Sequence, residues 1–184
     1  MALYGLDAGQ SLFTVQAFAA GVLSFAAHSP RFAARDVLGR IDFDPHRLDD
    51  VEMELAVPAG RFELIDRVAP WQRAEIEGRM RGEVLHVERF PEIAYRSRSA
   101  RGTDIAPGRY AIEIDGELSF HGVTRPQPIR AEIQTLETAA RLVGRFHVRP
   151  SDHGITPVTA LAGAIRLKDE LTVSFDLISL QETP

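Results

Sequence analysis

Apolar and polar residues alternate one by one along most of this chain, which is the pattern of strands with one buried face and one wet face. Leu171, Val173, Phe175 and Leu177 share one face, with Thr172, Ser174 and Asp176 on the other. Tyr110 to Phe120 repeats the arrangement: Ile112, Ile114, Leu118 and Phe120 stand opposite Glu113, Asp115, Glu117 and Ser119. Val51, Met53, Leu55 and Val57 alternate with Glu52, Glu54 and Ala56 until Pro58, which lacks the ladder donor and closes the strand. The same logic predicts strands over 129–134 and 142–148, with Gly144 marking a bend or bulge. Shorter strands are predicted at Phe13 and Val15, at Ile41 and Phe43, over 92–97 and over 163–168. Turn chemistry separates them at Asp44-Pro45, Ala106-Pro107-Gly108, Pro126-Gln127-Pro128 and Ser151-Asp152-His153-Gly154.

Between Pro70 and Leu85 the period changes. Trp71, Ile76, Met80 and Leu85 recur at helix-compatible spacing, and Pro70 suits a first helical turn. Gly78 and Gly82 weaken this helix by about 1 kcal/mol each relative to alanine. About eight or nine strands, one helix and no βα alternation predict an all-β fold, an antiparallel β-barrel of about eight strands with one helix near 70–85. A barrel removes exposed edges, and at about eight strands its interior either fills with its own side chains or admits one small ligand. Alternation does not choose between the two.

Length and composition narrow the partners. The 184 residues suit one domain over 1–184, and an apolar share of 45% is enough to bury a substantial core. A net charge of −5, with the arginines scattered singly, offers no basic face to a phosphate backbone, so nucleic acid is not expected as a partner. The absence of cysteine excludes disulfides and thiolate chemistry. Leu12 to Ala27 is apolar, but Thr14, Gln16 and Ser24 interrupt it and no Lys or Arg precedes it. It is expected to belong to the mature fold and not to a signal peptide, with a cytoplasmic location. No run reaches the roughly 18 to 20 apolar residues of a transmembrane segment. A homodimer is compatible with the sequence.

Candidate chemistry is sparse. His28, His46, His86, His121, His147 and His153 form no HxH, HExxH or i,i+4 pair, so no metal site is expected. No GxSxG elbow, phosphate loop or GxGxxG occurs, and neither a catalytic residue nor a cofactor is expected. Glu52, Glu54, Glu113 and Asp115 lie on the polar phase of their strands, as a solvated exterior requires. His46 follows Asp44-Pro45 at a turn, and His147 lies on an outward phase. His28, among small and aromatic residues from Phe25 to Phe32, either anchors a ligand head group or satisfies a buried carbonyl. An enzyme or histidine-ligated cofactor carrier would require His28, His121 and His153 to converge. Met53, Met80 and the phenylalanines serve equally as an adaptable pocket lining or as plain core.

Three stretches resemble the YceI-like family of bacterial lipocalin-fold proteins. They are Gly39-Arg40-Ile41-Asp42-Phe43-Asp44-Pro45, Arg89-Phe90-Pro91-Glu92-Ile93-Ala94-Tyr95, and the hairpin from Gly116 through Phe120-His121-Gly122-Val123 to Pro126. Phe146 to Ile155 also resembles the family's later strand and loop, with His153 where an aromatic residue is common. The resemblance implies a lipocalin-type barrel with a long apolar channel, and some members bind polyisoprenoids or other long-chain amphiphiles. The function expected is binding, storage or transport of an apolar small-molecule ligand of isoprenoid or acyl-chain type. Inward-phase positions give the candidate ligand-binding residues: Phe25, Phe32, Phe43, Met53 and Met80, then Ile114, Phe146 and Phe175, with His28 as polar anchor. The alternative is a plugged barrel acting as a non-catalytic structural or protein-interaction module.

Overall fold

A half-buried strand needs a neighbour on each edge and cover over its apolar face, and a sheet curled onto itself supplies both. The computed structural model describes residues 2–20, 29–160 and 165–181. In chain order they form β1 (Ala2–Leu6), β2 (Leu12–Ala20), β3 (Arg31–Ala34), β4 (Leu38–Phe43), β5 (Glu52–Pro58) and β6 (Glu63–Leu64). Helix α1 (Pro70–Arg79) follows and runs on as a π-helical turn over Met80–Val84. Then come β7 (Glu92–Ala106), β8 (Arg109–Phe120), β9 (Val123–Pro126), β10 (Ile129–Thr135), β11 (Ala139–Val148), β12 (Thr159–Ala160) and β13 (Ile165–Gln181).

The described strands pair antiparallel in the order β1-β4-β5-β7-β8-β10-β11-β13, and β13 returns to β1 with Tyr4 opposite Gln181. That ring is a closed eight-stranded barrel. Its lower end carries the β7–β8 and β10–β11 hairpins, and its upper end carries α1 and the β8–β9 hairpin. Toward the upper end β13 pairs with β2, β2 with β3, and β3 with β6. Among the described residues no ladder joins β6 to β7, so the wall is open on that side, and α1 packs against β6 there. Between β1 and β2 the buried Ser11 substitutes for a ladder residue: its hydroxyl donates to the Ile178 carbonyl at 3.3 Å and accepts the Ile178 N–H at 3.2 Å.

β8 shows the sequence pattern made physical. Tyr110, Ile112, Ile114, Gly116, Leu118 and Phe120 are buried, while Arg109, Glu113 and Asp115 are exposed. Outward carboxylates meet arginines on neighbouring strands, as in Arg98–Glu117 at 2.6 Å and Arg130–Glu113 at 2.9 Å. Such exposed pairs contribute about 0–1 kcal/mol each and chiefly keep this face wet.

Several elements differ from the sequence expectation. Gly144 makes no bulge, since β11 and β13 stay in register from Ala139 opposite Leu180 to Val148 opposite Leu171. A Cβ at Gly144 would instead stand 2.2 Å from Phe175 Cζ, so the glycine seats an aromatic ring. The strand over 92–97 continues to Ala106 past a bulge between Ser97 and Ser99. Its buried Ala100 and half-buried Gly102 are too small to register as an apolar face. The segment at 163–168 and the last predicted strand are one strand with an irregularity between Leu167 and Leu171; Gly163 and Ala164 lie outside the described residues.

Candidate ligand cavity

The two halves of the barrel are filled differently. In the lower half Phe43, Met53 and Leu177 have no exposed surface, and Ile112, Ile114 and Ile133 are 1% exposed. Phe43 meets Tyr110 edge-on with ring centroids 5.3 Å apart. Leu48 sits on Gly102, where a Cβ would be 2.4 Å from its own, and covers the bottom of the core. The upper half encloses a cavity of about 570 Å³ whose walls include Val57, Ile93, Leu118, Phe120, Val148 and Val173. Its floor is aromatic: Phe13 and Phe146 lie against Phe175 at centroid distances of 5.7 and 6.3 Å, with Tyr95 beside them in the wall.

Helix α1 forms the side of the cavity that strands leave open. The edge of β6 that no strand covers is satisfied by helix side chains: Glu77 Oε1 accepts the Leu64 N–H at 2.9 Å, and Arg73 donates to the carbonyls of Leu64 and, at 3.0 Å, Asp66. Arg81 adds a bond to the Phe62 carbonyl at 3.3 Å. Gln72 Oε1 accepts the Ala69 N–H at 3.1 Å at the helix start. Polar tethers hold this helix, for none of its ten residues is buried. Its apolar side chains Trp71 and Ile76 face the cavity, and Trp71 remains 68% exposed.

Polar groups in the wall fall into two sets. Glu75, Arg79 and Lys168, the only lysine of the chain, lie on the exposed rim. Tyr95 lies at the floor, its ring over Gly116, and donates its hydroxyl proton to the Gln127 carbonyl at 3.0 Å. Burial, with a smaller contribution from the Asp115 charge, pushes the Tyr95 phenol well above its ordinary pKa. It therefore stays a neutral hydrogen-bond donor.

Beside the cavity mouth three of the segments that carry the family resemblance meet, those around Phe90, His121 and His153. His121 and Gly122, with φ of 51° and 75°, form the two-residue turn between β8 and β9, the left-handed geometry of a tight hairpin. The Phe90 ring lies over that turn, 4.4 Å from the His121 ring and in the space a Cβ at Gly122 would need. His121 Nδ1 donates to the His153 carbonyl at 3.1 Å, and its Nε2 shares a hydrogen bond with His86 Nδ1 at 2.9 Å. His153 is buried and its Nδ1 donates to the Val123 carbonyl at 3.0 Å. These histidines tie the exit of the helix, the hairpin and the turn after β11 into one rim. His121 and His153 do converge, but both spend a ring nitrogen on a carbonyl, and His28 lies outside the described residues. Among the described residues no cluster of three or more His, Cys, Asp or Glu could hold a metal ion.

The candidate lining residues separate by level. Phe32, Met80, Phe146 and Phe175 are in the cavity wall. Phe43, Met53 and Ile114 face inward as their phase requires but pack in the filled half and are not part of that wall. Alternation fixes the face of a strand, not the height along the barrel axis, and the long channel implied by the resemblance is reduced to one half. Phe25 and His28 lie outside the described residues. Sequence reasoning passed over Trp71, Tyr95 and Leu118 as wall residues; the glycines at 116 and 144, each an inward position bearing a neighbour's ring, are the signal that marks where the cavity stops.

A closed antiparallel barrel with an apolar cavity beneath a helix is the architecture of a lipocalin-type barrel that binds a hydrophobic ligand. A YceI-like domain model matches residues 4–178, and the chain belongs to that family. BcnA of Burkholderia cenocepacia superposes with a TM-score of 0.72 at 13% identity, covering 94% of this chain and 98% of that one. A polyisoprenoid binding domain from Saccharophagus degradans, implicated in plant cell wall breakdown, gives 0.71 at 14% identity, with 99% and 100% covered. The YceI protein of Campylobacter jejuni gives 0.62 at 12% identity, with 83% and 85% covered. At these identities the likeness to the solved structures is one of fold. No curated protein matches the sequence. Among the described residues no helix is long and apolar enough to cross a membrane.

Proposed function

We infer that this protein binds and carries a long-chain apolar or amphiphilic molecule, of isoprenoid or fatty-acyl type, without transforming it. The observation that carries the reading is the 570 Å³ apolar cavity beneath a helix whose Trp71 and Ile76 face it without being buried. The tail enters first, because the floor is aromatic and the charged wall residues Glu75, Arg79 and Lys168 are at the rim. Each methylene buried there contributes about 0.8 kcal/mol, so a long tail is held with few polar contacts. The solved neighbour that is a polyisoprenoid binding domain supports the isoprenoid class. Non-catalytic carriage is supported by the use of the Tyr95 hydroxyl and the His121 and His153 rings in bonds to backbone carbonyls.

The test is mass spectrometry of an organic extract of the purified protein. A stoichiometric long-chain species is expected, and Ile76→Asp, which directs a charge into the cavity from an unburied helix, is expected to remove it. An extract without lipid, repeated after incubation with farnesol and palmitic acid, would transfer the assignment to a non-catalytic interaction module, the reading that the filled lower half favours.

A further inference from the structure

On β2, β13, β11 and β8 the cavity wall gives way, going down the strand, to positions that are filled. On β2 the wall includes Phe13, and the next inward residue, Ser11, is fully buried outside it. On β13 Phe175 belongs to the wall and Leu177 to the filled core. On β11 and β8 the wall residues Phe146 and Leu118 are followed below by a glycine, Gly144 and Gly116, and then by the buried Leu142 and Ile114. Neither glycine leaves a gap. A Cβ at Gly144 would be 2.2 Å from Phe175 Cζ, and one at Gly116 would be 2.3 Å from the Tyr95 hydroxyl oxygen. Each glycine seats an aromatic ring from the adjacent strand. Phe175 also meets Phe13 and Phe146, and Tyr95 is fixed by its bond to the Gln127 carbonyl.

We propose that this ring-on-glycine layer is a ruler that sets the length of tail the protein accepts. The inference rests on the binding reading above and adds a limit to it. The layer converts an open-ended channel into a blind cavity, so each added carbon gains contact only until the tail meets Phe175 and Tyr95. At about 30 Å³ for each carbon-sized group, the share of a water molecule in the liquid, the cavity holds roughly 20 chain carbons. A longer tail leaves its excess at the rim, beside Glu75 and Lys168, where burial adds nothing.

The experiment measures Kd for saturated fatty acids from octanoic to lignoceric acid, so that the head is constant and only the tail varies. Affinity should rise about fourfold per methylene and then stop rising. Phe175→Ala should move that break to longer chains, and Phe175→Leu should do so to a lesser extent if the alanine variant folds poorly. Gly144→Ala, whose Cβ would crowd the Phe175 ring and the Arg130 carbonyl, should in a folded variant move it to shorter chains. Trp71→Ala at the rim should weaken all lengths alike and leave the break in place. Binding with no break, or a break unmoved in a folded Phe175 variant, overturns the ruler and leaves the binding function standing. Failure of every fatty acid and of farnesol to bind overturns the binding reading and the ruler with it.

Discussion

The lower and upper halves of this barrel share strands and register, yet one is packed solid and the other is hollow. Ile112 and Leu118 lie on the same face of β8, but the first is buried in the filled core, with Leu48 beside it over Gly102, and the second lines a cavity. The difference arises from closure. In the lower half β13 meets β1 and eight strands complete the ring; in the upper half β6 stops short of β7 and a helix stands in. A full ring of about eight strands is just narrow enough for its own side chains to fill. A helix held by hydrogen bonds to a strand edge widens the wall and presents Trp71 and Ile76 across the gap. On the proposed reading, stability resides in one half of the molecule and binding in the other.

Truncations should separate the halves most clearly. Leu177→Ala, in the filled half, should lower the free energy of unfolding in urea by about 2–5 kcal/mol, because its neighbours cannot collapse into the space. Ile76→Ala, facing the cavity, should cost less than about 1 kcal/mol, because few atoms pack on that side. Equal losses would erase the distinction. Palmitic acid at about 100 times its Kd should stabilise the protein by about 2.7 kcal/mol in the same assay, and should leave Ile76→Asp unchanged.

A smaller effect should come from the helix tether. Arg73→Ala removes the donors to the Leu64 and Asp66 carbonyls and should reduce local stability by about 1–2 kcal/mol. Hydrogen exchange should then accelerate over 70–84 while β8 stays protected. Acceleration of both together would mean that the helix is part of the core and not a separate wall.

The smallest effect belongs to the upper rim, where hydrogen bonds from Ser151 and, to a lesser extent, the charge of Arg149 hold the Asp169 carboxyl below its ordinary value. The pair fastens the turn after β11 to β13. A carboxylate with a depressed folded pKa stabilises the fold fully above its unfolded value, about pH 4, and loses that contribution as pH falls through the folded value. The Tm difference between wild type and Asp169→Asn should therefore be present at neutral pH and vanish toward strong acid. A difference that persists in acid would assign the effect of Asp169 to packing and not to its charge.

Much of this architecture was legible in the sequence because alternation is a direct readout of a half-buried strand. β5, β8, β10, β11 and β13 carry large apolar residues against charged ones, and the change of period at Pro70 announces the helix. The missed elements were short or lacked large inward side chains: β1, β3, β6 and β12 span two to five residues each. The candidate site was half legible. Phase correctly sent Phe43, Met53 and Ile114 inward, but phase carries no information about height, and those residues serve the core. The motifs that carry the resemblance divide among core, wall and rim: Phe43 packs in the filled half, Tyr95, Leu118 and Phe146 line the cavity, and Phe90, His121 and His153 fix turns beside it. The feature that locates the floor, an aromatic residue on one strand beside a glycine on the next, depends on register between strands and is invisible along a single one.

The central claim, that the upper half takes the ligand and the lower half does not respond to it, is tested most directly by methyl NMR during titration with palmitic acid. The methyls of Val57, Leu118, Val148 and Val173 should shift in proportion to ligand bound, while those of Ile112, Ile133 and Leu177 stay fixed. Shifts that begin in the lower half, or that spread evenly through both halves, would contradict the division of the barrel into a packed support and a binding chamber.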